Sequence, residues 1–150
     1  MEEKIRGYKE EICTISEKKE NKVGSICKYI FDNPELGLEE YKAQKILCDY
    51  LEENGFKVER GVGSLETAFI ATFDSGKPGK TVALMAEYDC LPQIGHGCGH
   101  NIIGTSSTGA AVVLKEVIEK HGLGGVIKVM GTPAEESVRS EERRVGKECR

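Results

Sequence analysis

No apolar run in this sequence approaches the roughly 18 or more residues that a bilayer-crossing helix needs, so a membrane is not an expected partner. The opening residues, MEEKIRGYKEEIC, have no apolar stretch behind their charges and do not read as a secretory leader. The expected location is therefore cytoplasmic. No long basic stripe is present and the net charge is −4, which argues against nucleic acid. Histidine is scarce, with His96, His100 and His121 and none later. The six cysteines, at 13, 27, 48, 90, 98 and 149, are scattered through helical and strand patterns, and without an export signal they read as reduced, packed thiols. Cys98 is set apart from them below. What is present is ordinary for one globular domain: 150 residues, 39% hydrophobic and 31% charged, long enough to bury a core.

The apolar spacing predicts the elements. Ile5, Tyr8, Ile12 and Ile15 recur at helical steps over residues 1–20, and 23–31 reads as a second helical stretch ending before Pro34. A helix is predicted over 38–54, stopped by Asn54-Gly55. The period then shortens: 56–60 alternates, and 67–73 (TAFIATF) is rich in strand formers. After a turn at 75–79, TVALMA at 81–86 reads as a strand buried on both faces. A helix follows over 105–121, and VIKVM at 126–130 is another buried strand. Strand, helix, strand predicts a parallel βαβ unit. The last twelve residues, RSEERRVGKECR, differ: eight are charged, they carry +2, and without them the body stands at −6. The expected division is 1–138 as the folded portion and 139–150 as a charged tail, disordered or not native.

Two clusters carry chemistry, each directly after a predicted strand: AEYDCLPQIGHGCGHN at 86–101 and GTPAEES at 131–137. Ligands in parallel α/β sheets bind beyond the carboxyl ends of strands, so the two can meet in space. His96, Cys98 and His100 alternate with glycine, and in an extended loop residues two apart point the same way. Thiolate and imidazole suit zinc, and imidazole with carboxylate suits several divalent metals. The helix behind the loop turns its positive end towards Cys98, which favours a thiolate. A glycine-rich turn with incidental His and Cys fits the same spacing. Glu135 and Glu136 are adjacent, so one carboxylate can bind a metal while the other addresses a metal-bound water; a solvated glutamate pair is the plainer reading of those two alone. Asp89 can orient a histidine ligand or cap a turn. Tyr88 and Cys90 read as packing residues, and His121 as a helix-end residue.

In order and spacing, DNPELGLEEYKAQKIL, TAFIATF, AEYDCLPQIGHGCGHNIIGT and GTPAEE resemble the aminoacylase/carboxypeptidase family of metallopeptidases. The nearest branch is the amidohydrolases that include aminobenzoyl-glutamate hydrolase and related dipeptidases. The likeness covers about residues 20–138. It implies the N-terminal part of an α/β, three-layer zinc-peptidase-like catalytic domain with a mixed, mainly parallel sheet, interrupted in full members by a smaller lid or dimerisation domain. It implies divalent metal ions, zinc or manganese, two per complete site. It implies Cys98, His100 and Glu136 as metal ligands, Glu135 as general base and Asp89 as the acidic residue supporting the site. A histidine ligand of other branches is here Glu87, which is not counted, and His96 fits the motif in a supporting role. Full-length relatives are expected to be homodimers acting on small-molecule amide or dipeptide substrates.

Metal-dependent hydrolysis of an N-acyl amino acid, dipeptide or aminobenzoyl-glutamate-like amide is the expected activity, with this chain a truncated, inactive portion. A non-catalytic metal-binding module is the alternative. A cysteine hydrolase using Cys98 or Cys90 with a histidine base is a third reading, one in which the glycines and the glutamate pair have no task.

Overall fold

The computed structural model describes residues 2–136, so the expected tail lies outside the described residues. Helix α1 runs Glu2–Asp32, α2 runs Tyr41–Glu53 and α3 runs His100–His121; the strands are β1 (Lys57–Arg60), β2 (Phe69–Asp74), β3 (Lys80–Ala86) and β4 (Gly125–Gly131). Where two N-terminal helical stretches were expected there is one. Asn21 and Lys22 do not break a helix, and a side chain at Gly24 would meet nothing within 4 Å, so the glycine costs only the ~1 kcal/mol of its backbone freedom. Helix α2 starts later than its pattern suggests because Leu38, at φ +70, turns the chain first. The Glu35 carboxylate then accepts the backbone N–H groups of Lys42 and Ala43, satisfying the first turn of the helix. The end of α3 is held to α1 by Glu11, which takes both Lys120 and His121, the latter at 2.6 Å. Those two partners, His121 first, hold the Glu11 carboxyl below its usual range. His121 thus ties two helices together as well as lying at a helix end.

The sheet order is β1-β2-β4-β3. β3 and β4 are parallel with α3 between them, as the βαβ reading predicts, while β1–β2 and β2–β4 are antiparallel. The sheet is therefore mixed, but "mainly parallel" describes only one of its three pairings. Of the three layers expected, the described residues form a sheet and helices on one face of it. Phe69, Ala71 and Phe73 of β2 and Ile127 and Val129 of β4 meet Leu47 and Leu51 of α2 and Ala111, Val112 and Ile118 of α3. Each of the larger side chains stabilises the fold by about 1.5–3 kcal/mol on burial, and the alanines by less. The alternate residues Ile70, Lys128 and Met130 are only half-buried.

TVALMA is not buried on both faces. Val82 and Met85 are 43% and 48% exposed, because among the described residues β3 ends the strand order and pairs with β4 alone. An apolar strand at an edge cannot be told from a central one by its own composition.

The fold brings the two clusters together. Ala86 of β3 pairs with Gly131 of β4 at the carboxyl ends of both strands, and Thr132 N–H donates to the Ala86 carbonyl at 2.9 Å beyond them. Helix α3 closes on the same edge through Gly104, where an added Cβ would stand 2.6 Å from the Glu87 carbonyl oxygen. That oxygen is backbone and cannot swing aside. Gly104→Ala is expected to force helix and strand end apart at about 1–3 kcal/mol, read as a lower urea midpoint with unchanged slope. An unchanged midpoint would show that the close approach is not there.

Candidate metal centre

The loop before α3 is not the extended strip that alternation with glycine suggests. His96–Cys98 is a single 3-10 turn, flanked by Gly95 at φ +68 and Gly99 at φ +81. The turn separates the three residues. Cys98 and His100 face the strand ends, while His96 is buried with its ring beside Phe31. Burial holds the His96 imidazole below its usual pKa. His96 is not in either cluster of ligand atoms described below. Helix α3 begins at His100 rather than near 105, so Cys98 lies just ahead of its first residue.

His100 is the hub, and it is 4% exposed. Its Nδ1 lies 2.7 Å from Asp89 Oδ1. A carboxylate only accepts, so Nδ1 carries the hydrogen, and the neutral ring that binds a metal would present its lone pair at Nε2. Facing Nε2 are Glu87 Oε2 at 3.4 Å, Glu135 Oε2 at 3.7 Å and Glu136 Oε1 at 3.8 Å. The Glu136 N–H donates to the other Asp89 oxygen at 3.1 Å, and the Cys98 thiol points to the Asp89 backbone carbonyl at 3.7 Å. Asp89, fully buried, thus touches both clusters.

Two sets of ligand atoms lie within 4.8 Å of one another: Cys98, His100 and Glu136, and Glu87, His100 and Glu135. Donors each about 2.1 Å from one ion at a tetrahedral angle stand roughly 3.4 Å apart. The spacings around Nε2 are close to that, and carboxylates crowded on one imidazole are what a divalent cation would neutralise. Sulfur, nitrogen and oxygen donors together suit zinc, with manganese served by the oxygens. All five residues singled out in the sequence, Asp89, Cys98, His100, Glu135 and Glu136, are brought together. Glu135 and Glu136 do not point apart as strand neighbours would. They open a helical turn after Ala134, which sits at φ +57, and both carboxylates reach the same nitrogen.

Glu87 is not counted in the sequence reading because the resemblance implies that Cys98 takes over the ligand role that a histidine at this position has in other branches. Its signal was there: it lies two residues before Asp89 at a strand end, and residues two apart share a side. Beside the cluster, Val62, Leu65, Ala68, Pro133 and Ala134 line an apolar groove of about 410 Å³ that Glu135 also lines. Cys90 is buried, and burial followed by the nearby Cys98 pushes its thiol pKa up, which disfavours a nucleophilic thiolate there.

A mixed sheet with a Cys–His–carboxylate cluster past the ends of two parallel strands is the frame of a metallopeptidase-like α/β protein. No family model matches the chain. Individual proteins do. Over 128 residues the chain is 39% identical to one of the subunits of the p-aminobenzoyl-glutamate hydrolase of Escherichia coli K12, covering 74% of this chain and 26% of that one. A protein of methicillin resistant Staphylococcus aureus assigned as an aminohydrolase superposes with a TM-score of 0.73 at 30% identity, covering 85% of this chain and 35% of that one. A Bacillus subtilis dinuclear metal binding peptidase of the M20 family superposes with a TM-score of 0.67 at 25% identity, covering 77% and 35%. The chain belongs to this family of amidohydrolases and peptidases. It spans about a quarter of the length of the Escherichia coli hydrolase chain.

Proposed function

We propose that this chain supplies the N-terminal half-site of a metal-dependent amidohydrolase that cleaves the amide bond of an N-acyl amino acid, a dipeptide or an aminobenzoyl-glutamate-like compound. The observation that carries the reading is that two sets of ligand atoms, from Cys98 and Glu136 and from Glu87 and Glu135, each lie within 4.8 Å of a His100 ring nitrogen. A bound divalent ion, zinc or manganese and two in a complete site, would lower the pKa of water and polarise a substrate carbonyl. The residues here have separate tasks. Cys98, His100 and Glu136 hold the ion, and Glu87 is placed to join them. Asp89 fixes the His100 ring so that Nε2 faces the ion. Glu135 takes a proton from the attacking water and passes it to the leaving amine. The groove beside Glu135 suits the apolar acyl or aryl part of the substrate.

One histidine faces the cluster, since His96 is buried beside Phe31 and His121 is bound to Glu11. Turnover is therefore proposed for a longer chain that adds further ligands, and this chain by itself is inactive. The single imidazole equally favours the metal-binding module as a second reading. Cobalt titration tests both. The chain should bind cobalt with a thiolate charge-transfer band that disappears in Cys98→Ser. A band that survived Cys98→Ser would remove that sulfur from the ligand set. Hydrolysis of acyl amino acids by a longer version, stopped by a chelator and restored by added metal, separates metallohydrolase from both the module and the cysteine hydrolase.

A further inference from the structure

Glu40 is a carboxylate with no exposed surface, and its hydrogen bonds go to neutral donors. It stands at the start of α2 but makes no side-chain bond to its own helix; Glu35 does that work instead. The Glu40 carboxylate turns inward. One oxygen accepts the Thr67 hydroxyl at 2.7 Å, and the other accepts the Ala134 backbone N–H at 2.8 Å. Thr67 is in turn fixed by its carbonyl, which accepts the Tyr88 hydroxyl at 2.6 Å. Ala134 is a non-glycine residue at φ +57. Such a backbone is strained and persists only where its surroundings over-determine it. Ala134 immediately precedes Glu135 and Glu136. Desolvating a carboxylate is costly unless its hydrogen bonds are good, and here one of them holds the turn that aims those two side chains.

We propose that Glu40 is a positioning residue: its buried carboxylate clamps the Ala134 amide in a left-handed turn so that Glu135 and Glu136 both face His100. The proposal rests on the metal-site reading above. Glu40→Leu and Glu40→Gln in this chain test it, with amide hydrogen exchange and zinc affinity as readouts. In Glu40→Leu the Ala134 and Glu136 amides should exchange at least about tenfold faster while α3 amides stay unchanged, and zinc should bind about tenfold more weakly. Glu40→Gln should restore both, because its oxygen still accepts from Ala134 and its NH2 can donate to a turned Thr67 hydroxyl. A Leu variant with wild-type Glu136 exchange and zinc affinity overturns the proposal, as does a Gln variant as impaired as Leu. Should the Leu variant not fold, scalar coupling across the Ala134–Glu40 hydrogen bond decides in the unaltered chain. A coupling that responds to zinc supports the clamp, and no coupling overturns it. If the wild-type chain bound no zinc at all, the metal reading would fall, while amide exchange would still decide whether Glu40 holds the turn.

Discussion

Glu135→Gln, made in a longer chain that carries the remaining ligands, is expected to lower kcat by roughly 10²–10⁴-fold with metal content unchanged, the range for losing a general acid–base. Glutamine keeps the size and the hydrogen-bonding shape of glutamate but cannot take a proton. Glu135 is the right one of the pair to bear the effect. Its side chain is 16% exposed against 34% for Glu136, and it alone of the two lines the apolar groove. Glu136 has its backbone N–H bound to Asp89, which also holds the His100 ring, so it shares an anchor with the proposed ligand His100. Glu136→Gln should accordingly weaken metal binding first and activity through it. Metal analysis of both variants by atomic emission, alongside steady-state rates, distinguishes the roles. If Glu135→Gln lost its metal and Glu136→Gln kept it, the two assignments would have to be exchanged.

The parts of this molecule that were legible in the sequence are those set by local pattern. The βαβ unit follows from two apolar strands around an amphipathic helix, and once β3 and β4 are parallel the clusters after Ala86 and Gly131 must share an edge. Elements that depend on distant partners were not legible. The exposure of Val82 and Met85 depends on strand order, whereas the absent break between two N-terminal helices is a local matter: over 21–24 only the ~1 kcal/mol of Gly24 opposes a helix. The loop 95–99 was misjudged for a different reason. Alternation with glycine suggests an extended strip only if the glycines are extended, and positive φ at Gly95 and Gly99 folds it into a turn. Glu40 was hidden more deeply. In the run PELGLEE it looks like one more surface acid, and only its distance in space to Thr67 and Ala134 reveals it.

Asp89→Ala is expected to weaken zinc binding by roughly 10–100-fold, the range for removing the partner that orients a histidine ligand. The structure makes this a double loss. Asp89 is fully buried and accepts from both the His100 ring and the Glu136 backbone. Removing it leaves the buried His100 donor unsatisfied, at about 1–3 kcal/mol, and takes the acceptor from the part-buried Glu136 N–H. Asp89→Asn should not rescue, and that failure is the sharper test. Asparagine has one acceptor oxygen where two donors need one. If the oxygen serves His100, the NH2 opposes the Glu136 N–H and pushes that ligand out of place. If the NH2 faces His100 instead, the ring must accept at Nδ1, which moves its hydrogen to Nε2 and removes the lone pair that faces the carboxylates. Nitrogen-15 shifts of the His100 ring read the tautomer directly, and chelator competition reads the affinity. Wild-type zinc affinity in Asp89→Asn would mean that the carboxylate is a turn cap and that His100 is held by other means. The contrast with Glu40→Gln is chemical: there one partner is a hydroxyl that can turn to accept, whereas here both partners can only donate while Nε2 keeps its lone pair.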